Sequence, residues 1–310
     1  MPTEDGNAIA LGRYLARGRR RYLEPVLLVH GLGTNRFGLD FDERYSVARG
    51  LARRGFEAWV LELRGHGLGG SGVDSSFDIE ASHDVAAAIR TIQATGAAKL
   101  LWVGHSRGGM LAYAYLARNP TAPIAALVAL GAPLTWQSSP GLQAFVSLVE
   151  PLLRLRTVPL AMLGVFAPVG LPPDPVGRYL ARAENMEPWV IRQAIAHASA
   201  NVSGGVARQF ARWVTGDVFD GNDGLDYRGS LREVKVPVMA LAGAADYLAT
   251  PAGVHSATRF MGGPVEVVTA GRSSGFAADY GHGDLALGRY APDEIVPRIA
   301  EFLARHATRV

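Results

Sequence analysis

At 310 residues, 48% hydrophobic and 19% charged, the chain has apolar material for one large α/β domain with an insertion, and its length alone does not require two independent domains. A formal net charge of +3 is too small to argue for a nucleic-acid partner, and the basic cluster Arg19-Arg20-Arg21 lacks the interleaved aromatics of a base-stacking platform, so it reads as a solvated loop. The absence of cysteine excludes a disulfide framework, a thiolate metal site and a cysteine nucleophile together.

The first six residues are polar and acidic where a secretory signal would be basic and then apolar. The longest apolar stretch, residues 158–172, is short for a bilayer span and carries prolines. A cytoplasmic protein without an integral membrane segment is the expectation.

In chain order, residues 8–14 alternate as an early strand, and Val26-Leu27-Leu28-Val29 is a short continuous apolar run of the kind buried on both faces. There follow a helix over 43–54, a strand over 56–61, a helix over 82–95, a strand over 100–103, a helix over 110–118 and a strand over 124–130. This alternation predicts an α/β fold, a mostly parallel central sheet with helices on both faces, whose reactive groups gather at the carboxyl ends of the strands. After Gly131-Ala132-Pro133 the rhythm stops, and residues 134–230 read as amphipathic helical pieces broken by prolines. The rhythm returns with a strand over 236–241, a helix over 252–260, a strand over 264–269 and a last helix over 293–306. The expected organisation is a core built from residues 1–133 and 231–310, with residues 134–230 inserted as a mainly helical cap over the sheet's carboxyl edge.

The sharpest local signal lies between the fourth of these strands and its helix. Leu100-Leu101-Trp102-Val103 breaks into Gly104-His105-Ser106-Arg107-Gly108-Gly109 and resumes with helical spacing. A serine hydroxyl is a poor nucleophile unless it is set beside a base, and a tight strand-to-helix turn presents it for that. The turn crowds its neighbours, which explains glycine two residues either side of Ser106. The other reading is a glycine-rich turn whose serine merely caps the helix.

Five signals occur in order: Leu28-Val29-His30-Gly31, Leu63-Arg64-Gly65-His66-Gly67, the segment around Ser106, Gly243-Ala244-Ala245-Asp246 and Gly281-His282-Gly283-Asp284. With them the chain resembles the α/β-hydrolase superfamily, of serine esterase and lipase type, over nearly its whole length. Asp5-Gly6, Val236-Pro237-Val238 and the run from Asp246 to Pro251 add a looser resemblance to the acid-lipase branch. The resemblance implies the chain order nucleophile, acid, base, and maps the acid onto Asp246 and the base onto His282. Some members carry the acid one strand earlier, where this chain has Gly131-Ala132-Pro133-Leu134 and no carboxylate. It also implies an oxyanion hole made by the backbone N–H of Arg107 and that of Leu32, with Gly33 as the alternative donor.

The Arg107 side chain is a large cation where the family often carries an apolar or amide group, and it either pairs with a carboxylate or reaches an anionic part of the substrate. His30, His66 and His105 read as packed, hydrogen-bonded framework. The remaining histidines lack metal-ligand spacing, so no metal and no cofactor are expected.

The first half of the expected cap is unusually apolar. Phe145, Val146, Leu148, Val149, Leu152, Leu153, Leu155, Val158, Leu160, Met162, Leu163, Val165 and Phe166 exceed what one packing face needs. Either they line a pocket for an ester with a hydrophobic acyl or alcohol part, or they simply pack over the sheet. The expected activity is cleavage of small carboxylic esters through an acyl-enzyme on Ser106, with His282 as base and Asp246 as the acid that orients it. The same machinery would serve a thioesterase or acyltransferase, and a non-catalytic ligand-binding protein of the same fold is the reading from another class. The oligomeric state is left open.

Overall fold

The computed structural model describes residues 1–72, 75–151, 155–174 and 176–310. The strands are β1 (Ala10–Tyr14), β2 (Val26–Val29), β3 (Ala58–Glu62), β4 (Leu100–His105), β5 (Ile124–Leu130), β6 (Thr157–Val158), β7 (Val202–Ser203), β8 (Val238–Gly243) and β9 (Val265–Ala270). Seven of them form one sheet in the order β1-β3-β2-β4-β5-β8-β9; β1 runs antiparallel to β3 and every other pairing is parallel. The residues of β2, β3, β4 and β8 are all buried, which is why these strands read as continuous apolar runs, whereas the edge strands β1 and β9 are only partly covered.

Successive side chains alternate between two cores. Leu27, Val29, Trp102 and Leu127 pack on one face with the helices Ala86–Gln93 and Arg107–Arg118. Leu28, Leu101, Val103 and Val128 pack on the other with the helices Val47–Arg53 and Ala291–Arg305.

Three local features differ from the periodicity. The helix expected over 82–95 begins earlier, where Ser76 accepts from the Ile79 N–H, and after Phe77–Ile79 it widens into a π-helical turn, Glu80–Val85. A pattern search at 3.6 residues per turn does not find an i→i+5 turn. Glu80 and Asp84, four residues apart and so on one face, are both turned inward, 1% and 0% exposed. The helix expected over 252–260 is two pieces, Pro251–His255 and Ala257–Phe260, parted at Ser256, whose hydroxyl donates to the Gly253 carbonyl at 2.6 Å. Inside the insertion, β6 pairs antiparallel with β7, two residues each and too short to show an alternation.

Between β5 and β8 the chain forms the helices Pro140–Val149, Val176–Leu180, Pro188–His197 and Gly204–Gly216 and the 3-10 segment Leu160–Phe166. The insertion is joined to the sheet rather than laid on it, because Trp213, Phe219 and Tyr227 are buried in the same core cluster as Trp102, and Trp213 packs 4.5 Å from Phe77. Leu152 and Leu153, and the side chain of Leu163, lie outside what is described. Among the described residues no helix is long and apolar enough to cross a membrane.

Candidate active site

The turn after β4 leads straight into the helix Arg107–Arg118, which therefore begins three residues before its apolar periodicity does. Ser106 sits at the turn with φ 52° and ψ −118°, a conformation that a residue with a side chain adopts only under constraint. The constraint is main chain on every side. The Ser106 N–H donates to the Leu130 carbonyl at 2.7 Å. A Cβ on Gly104 would lie within 3.0 Å of Gly108 and Gly109 backbone, and one on Gly108 within 3.0 Å of Val29 backbone. Both glycines are therefore required by close approach, as the sequence pattern implied.

Asp246 follows β8 and is fully buried. Its Oδ1 accepts from the N–H groups of Leu248 and Ala249 at 2.9 and 2.8 Å, which leaves Oδ2 to accept from His282 Nδ1 at 2.7 Å. Space for this pair comes from Gly131, at φ 58°, where a Cβ would lie 3.3 Å from the His282 ring and 3.5 Å from Asp246.

Two groups hold the loop that carries His282. His105 Nε2 donates to the His282 carbonyl at 3.1 Å, and burial pushes the His105 pKa down to about 3, so this donor is a neutral imidazole. Asp284 is buried and accepts from the Gly281 N–H, the Arg182 N–H and Asn185 Nδ2 at 2.9, 3.0 and 2.8 Å. Desolvation raises its pKa. It grips the main chain of the loop and ties it to the insertion, a role that proximity to His282 in the sequence does not reveal.

Ser106, His282, Leu32 and Arg107 line one cavity of about 380 Å³, with Asp246 behind His282. The Leu32 loop is laced to the insertion: Ala200 N–H donates to the Gly33 carbonyl at 2.8 Å and Asn35 N–H to the Ala198 carbonyl at 3.1 Å. The rest of the lining is mostly apolar. Of the apolar residues singled out in the expected cap, Phe145, Val146 and Leu160 reach the cavity. Val158 joins the core, while Leu148, Leu155, Met162 and Val165 are exposed. Leu142, Tyr179, Phe210 and Leu248 are among the other apolar residues of the lining, and sequence pattern alone does not single them out.

The Arg107 guanidinium turns away from the cavity into the core and takes a carboxylate, Glu80, at 3.2 Å, both groups 1% exposed. Its Nη2 lies 3.2 Å from His66 Nε2 and 3.3 Å from His30 Nδ1. Burial raises the Glu80 pKa to about 7 against the pull of Arg107, and lowers that of His66 to about 3 and that of His30 well below the usual range. His30, His66 and His105 are thus buried framework, and among the described residues no cluster of His, Asp and Glu is arranged to hold a metal ion.

Residues 24–151 match the α/β hydrolase fold family. A thermophilic esterase from Thermogutta terrifontis superimposes with a TM-score of 0.66 at 20% identity, covering 98% of this chain and 96% of that one. The chain has the α/β-hydrolase fold. A monoacylglycerol lipase from Paleococcus ferrophilus gives 0.65 at 17% identity over 96% of this chain and 99% of that one. In sequence, a triacylglycerol lipase from Burkholderia plantarii is 32% identical over 127 residues, 41% of this chain and 32% of that protein. The chain spans about a third of the length of the curated relatives it matches.

Proposed function

We propose that the protein is a serine hydrolase of carboxylic esters with a hydrophobic acyl or alcohol part. The observation that carries this reading is the 2.7 Å hydrogen bond from His282 Nδ1 to a buried Asp246, with His282 facing the same apolar cavity as Ser106 in its constrained turn. The names of the relatives, esterase and lipase, agree with it.

Ser106 Oγ attacks the ester carbonyl while His282 Nε2 takes its proton. Asp246 holds the Nδ1–H tautomer and stabilises the imidazolium that forms. The tetrahedral oxyanion accepts from the Leu32 and Arg107 N–H groups, each worth around 10²- to 10³-fold in rate. His282 returns the proton to the leaving alkoxide, the alcohol departs, and a water deprotonated by His282 releases the acid and restores Ser106. The insertion over 134–230 acts as a cap whose apolar side chains bind the hydrophobic part of the ester.

The test is reaction of the purified chain with a fluorophosphonate probe, followed by peptide mapping, beside a series of p-nitrophenyl esters from short to long chain. Labelling at Ser106, with turnover lost in Ser106→Ala, is expected. A chain that neither labels nor turns over any ester would overturn the reading.

A further inference from the structure

The residue after Ser106 has a second part to play, through its side chain. Arg107 lines the cavity, and its guanidinium is buried against Glu80. Nη1 bridges both Glu80 oxygens at 3.2 and 3.4 Å. His66 Nδ1–H donates to the Arg64 carbonyl at 2.8 Å, so its Nε2 carries a lone pair and accepts from Arg107 Nη2 at 3.2 Å.

His30 is different. Its Nε2 accepts from the Leu63 N–H at 3.4 Å, which puts the ring proton on Nδ1, and Nδ1–H donates to the Gly31 carbonyl at 3.0 Å. Arg107 Nη2 lies 3.3 Å from this same Nδ1, against the ring edge that holds the Gly31 carbonyl. The Gly31 carbonyl belongs to the same planar peptide as the Leu32 N–H, and the two point in opposite directions, so a bond that fixes the oxygen aims the N–H. Thr34 Oγ1 donates to the same oxygen at 3.2 Å.

We infer that the Arg107 side chain and Glu80 are positioning residues that set both halves of the oxyanion hole from beneath, one through the Arg107 main chain and the other through the His30 ring and the Gly31–Leu32 peptide. This rests on the reading of the Leu32 and Arg107 amides as oxyanion donors. Both members of the pair are 1% exposed, and Glu80 reaches Arg107 from the first residue of the π-helical turn. A buried pair of this kind is expensive in stability and is explained by what it orients rather than by what it adds to the fold. Neither group touches substrate.

The experiment compares Arg107→Met, Arg107→Lys and Glu80→Gln with the parent in full-length protein, after Ser106→Ala has established that turnover is due to Ser106. The readouts are kcat and KM on a p-nitrophenyl ester, and inhibition by a trifluoromethyl ketone, whose adduct carries an oxyanion that the ground-state ester lacks. Arg107→Met is expected to lower kcat by about 10²-fold and to weaken inhibitor binding in step, with KM within about threefold; Glu80→Gln is expected to do the same by about tenfold, with Arg107→Lys between them. A merely structural pair would lower the melting temperature and the active fraction without separating kcat from KM. Should Arg107→Met not fold, Glu80→Gln, which keeps the volume and removes the charge, decides the matter. An active parent with folded variants whose kcat and inhibitor affinity stay within about threefold would overturn the inference and leave the hydrolase reading standing. A parent that is inactive would overturn the hydrolase reading first.

Discussion

On the sheet side of the cavity each group is held by directional hydrogen bonds: Ser106 by the Leu130 carbonyl, Asp246 by two amides, and the His282 loop by the side chains of His105 and Asp284. On the insertion side the lining is apolar side chains such as Phe145, Leu142 and Leu160, with no geometry beyond packing to fix them. The difference corresponds to two demands. Bond-making needs groups placed within a fraction of an ångström, while recognition of a hydrocarbon chain needs only apolar surface of about the right volume.

The strongest way to break that comparison is the same substitution on both sides. Gly108→Ala places a Cβ within 3.0 Å of backbone that cannot yield and is expected to cost about 4 kcal/mol or more, giving little folded protein. Gly141→Ala, at the start of the helix Pro140–Val149, meets only the tip of the Tyr179 side chain at 3.3 Å, and its melting temperature is expected to stay within a few degrees, a change of about 1 kcal/mol at most. Equal melting temperatures by scanning calorimetry would contradict the contrast.

Asp246→Asn should leave the fold intact and lower kcat by about 10⁴-fold, because the amide no longer enforces the Nδ1–H tautomer. Stopped assays with enzyme at high concentration measure this, and a loss of less than about tenfold would remove Asp246 from the mechanism.

Glu80 sharpens the comparison from beneath the sheet side. Its pKa is raised from 4.5 to about 7, so the folded chain keeps a proton that the unfolded chain has lost, and stability falls as pH rises from about 4.5 through about 7. The groups around it, Arg107, Asp84, Arg64 and His66, are unchanged in Glu80→Gln, so the difference in unfolding free energy between variant and parent isolates its titration. That difference should move in favour of the variant by on the order of 3 kcal/mol across the window, and a pH-independent difference would contradict it.

On the insertion side, Phe145→Ala enlarges the cavity and leaves Ser106, His282 and Asp246 in place. The chain-length optimum should move toward longer acyl groups, with kcat/KM for the longer esters raised about tenfold at most, the range available to apolar discrimination. An unchanged optimum would place the acyl chain elsewhere.

How much of this was legible depended on how local each requirement is. The elbow could be read directly, since its two glycines and its serine satisfy one steric condition within five residues. The alternation of strand and helix over residues 24–130 was equally plain, because strands covered on both faces have no other composition open to them. Asp246 and His282, 36 residues apart, were reached through resemblance, and their hydrogen bond is a finding of the fold. Glu80 was not reached at all. In Phe77-Asp78-Ile79-Glu80-Ala81-Ser82-His83-Asp84 it looks like one carboxylate on a solvated helix, and only the packing of this segment against the helix Arg107–Arg118 makes it the partner of an arginine 27 residues on.

By itself the chain's sequence determined the sheet, the tight turn that carries Ser106 and the glycines that let it form, because backbone sterics act between near neighbours and admit few residue types. Tertiary structure alone decided which apolar residues of the insertion face the cavity and which face water, and that Arg107 turns inward to Glu80 and His66. Those outcomes depend on which elements meet across the sheet, and burial then selects among side chains that the local pattern leaves equivalent.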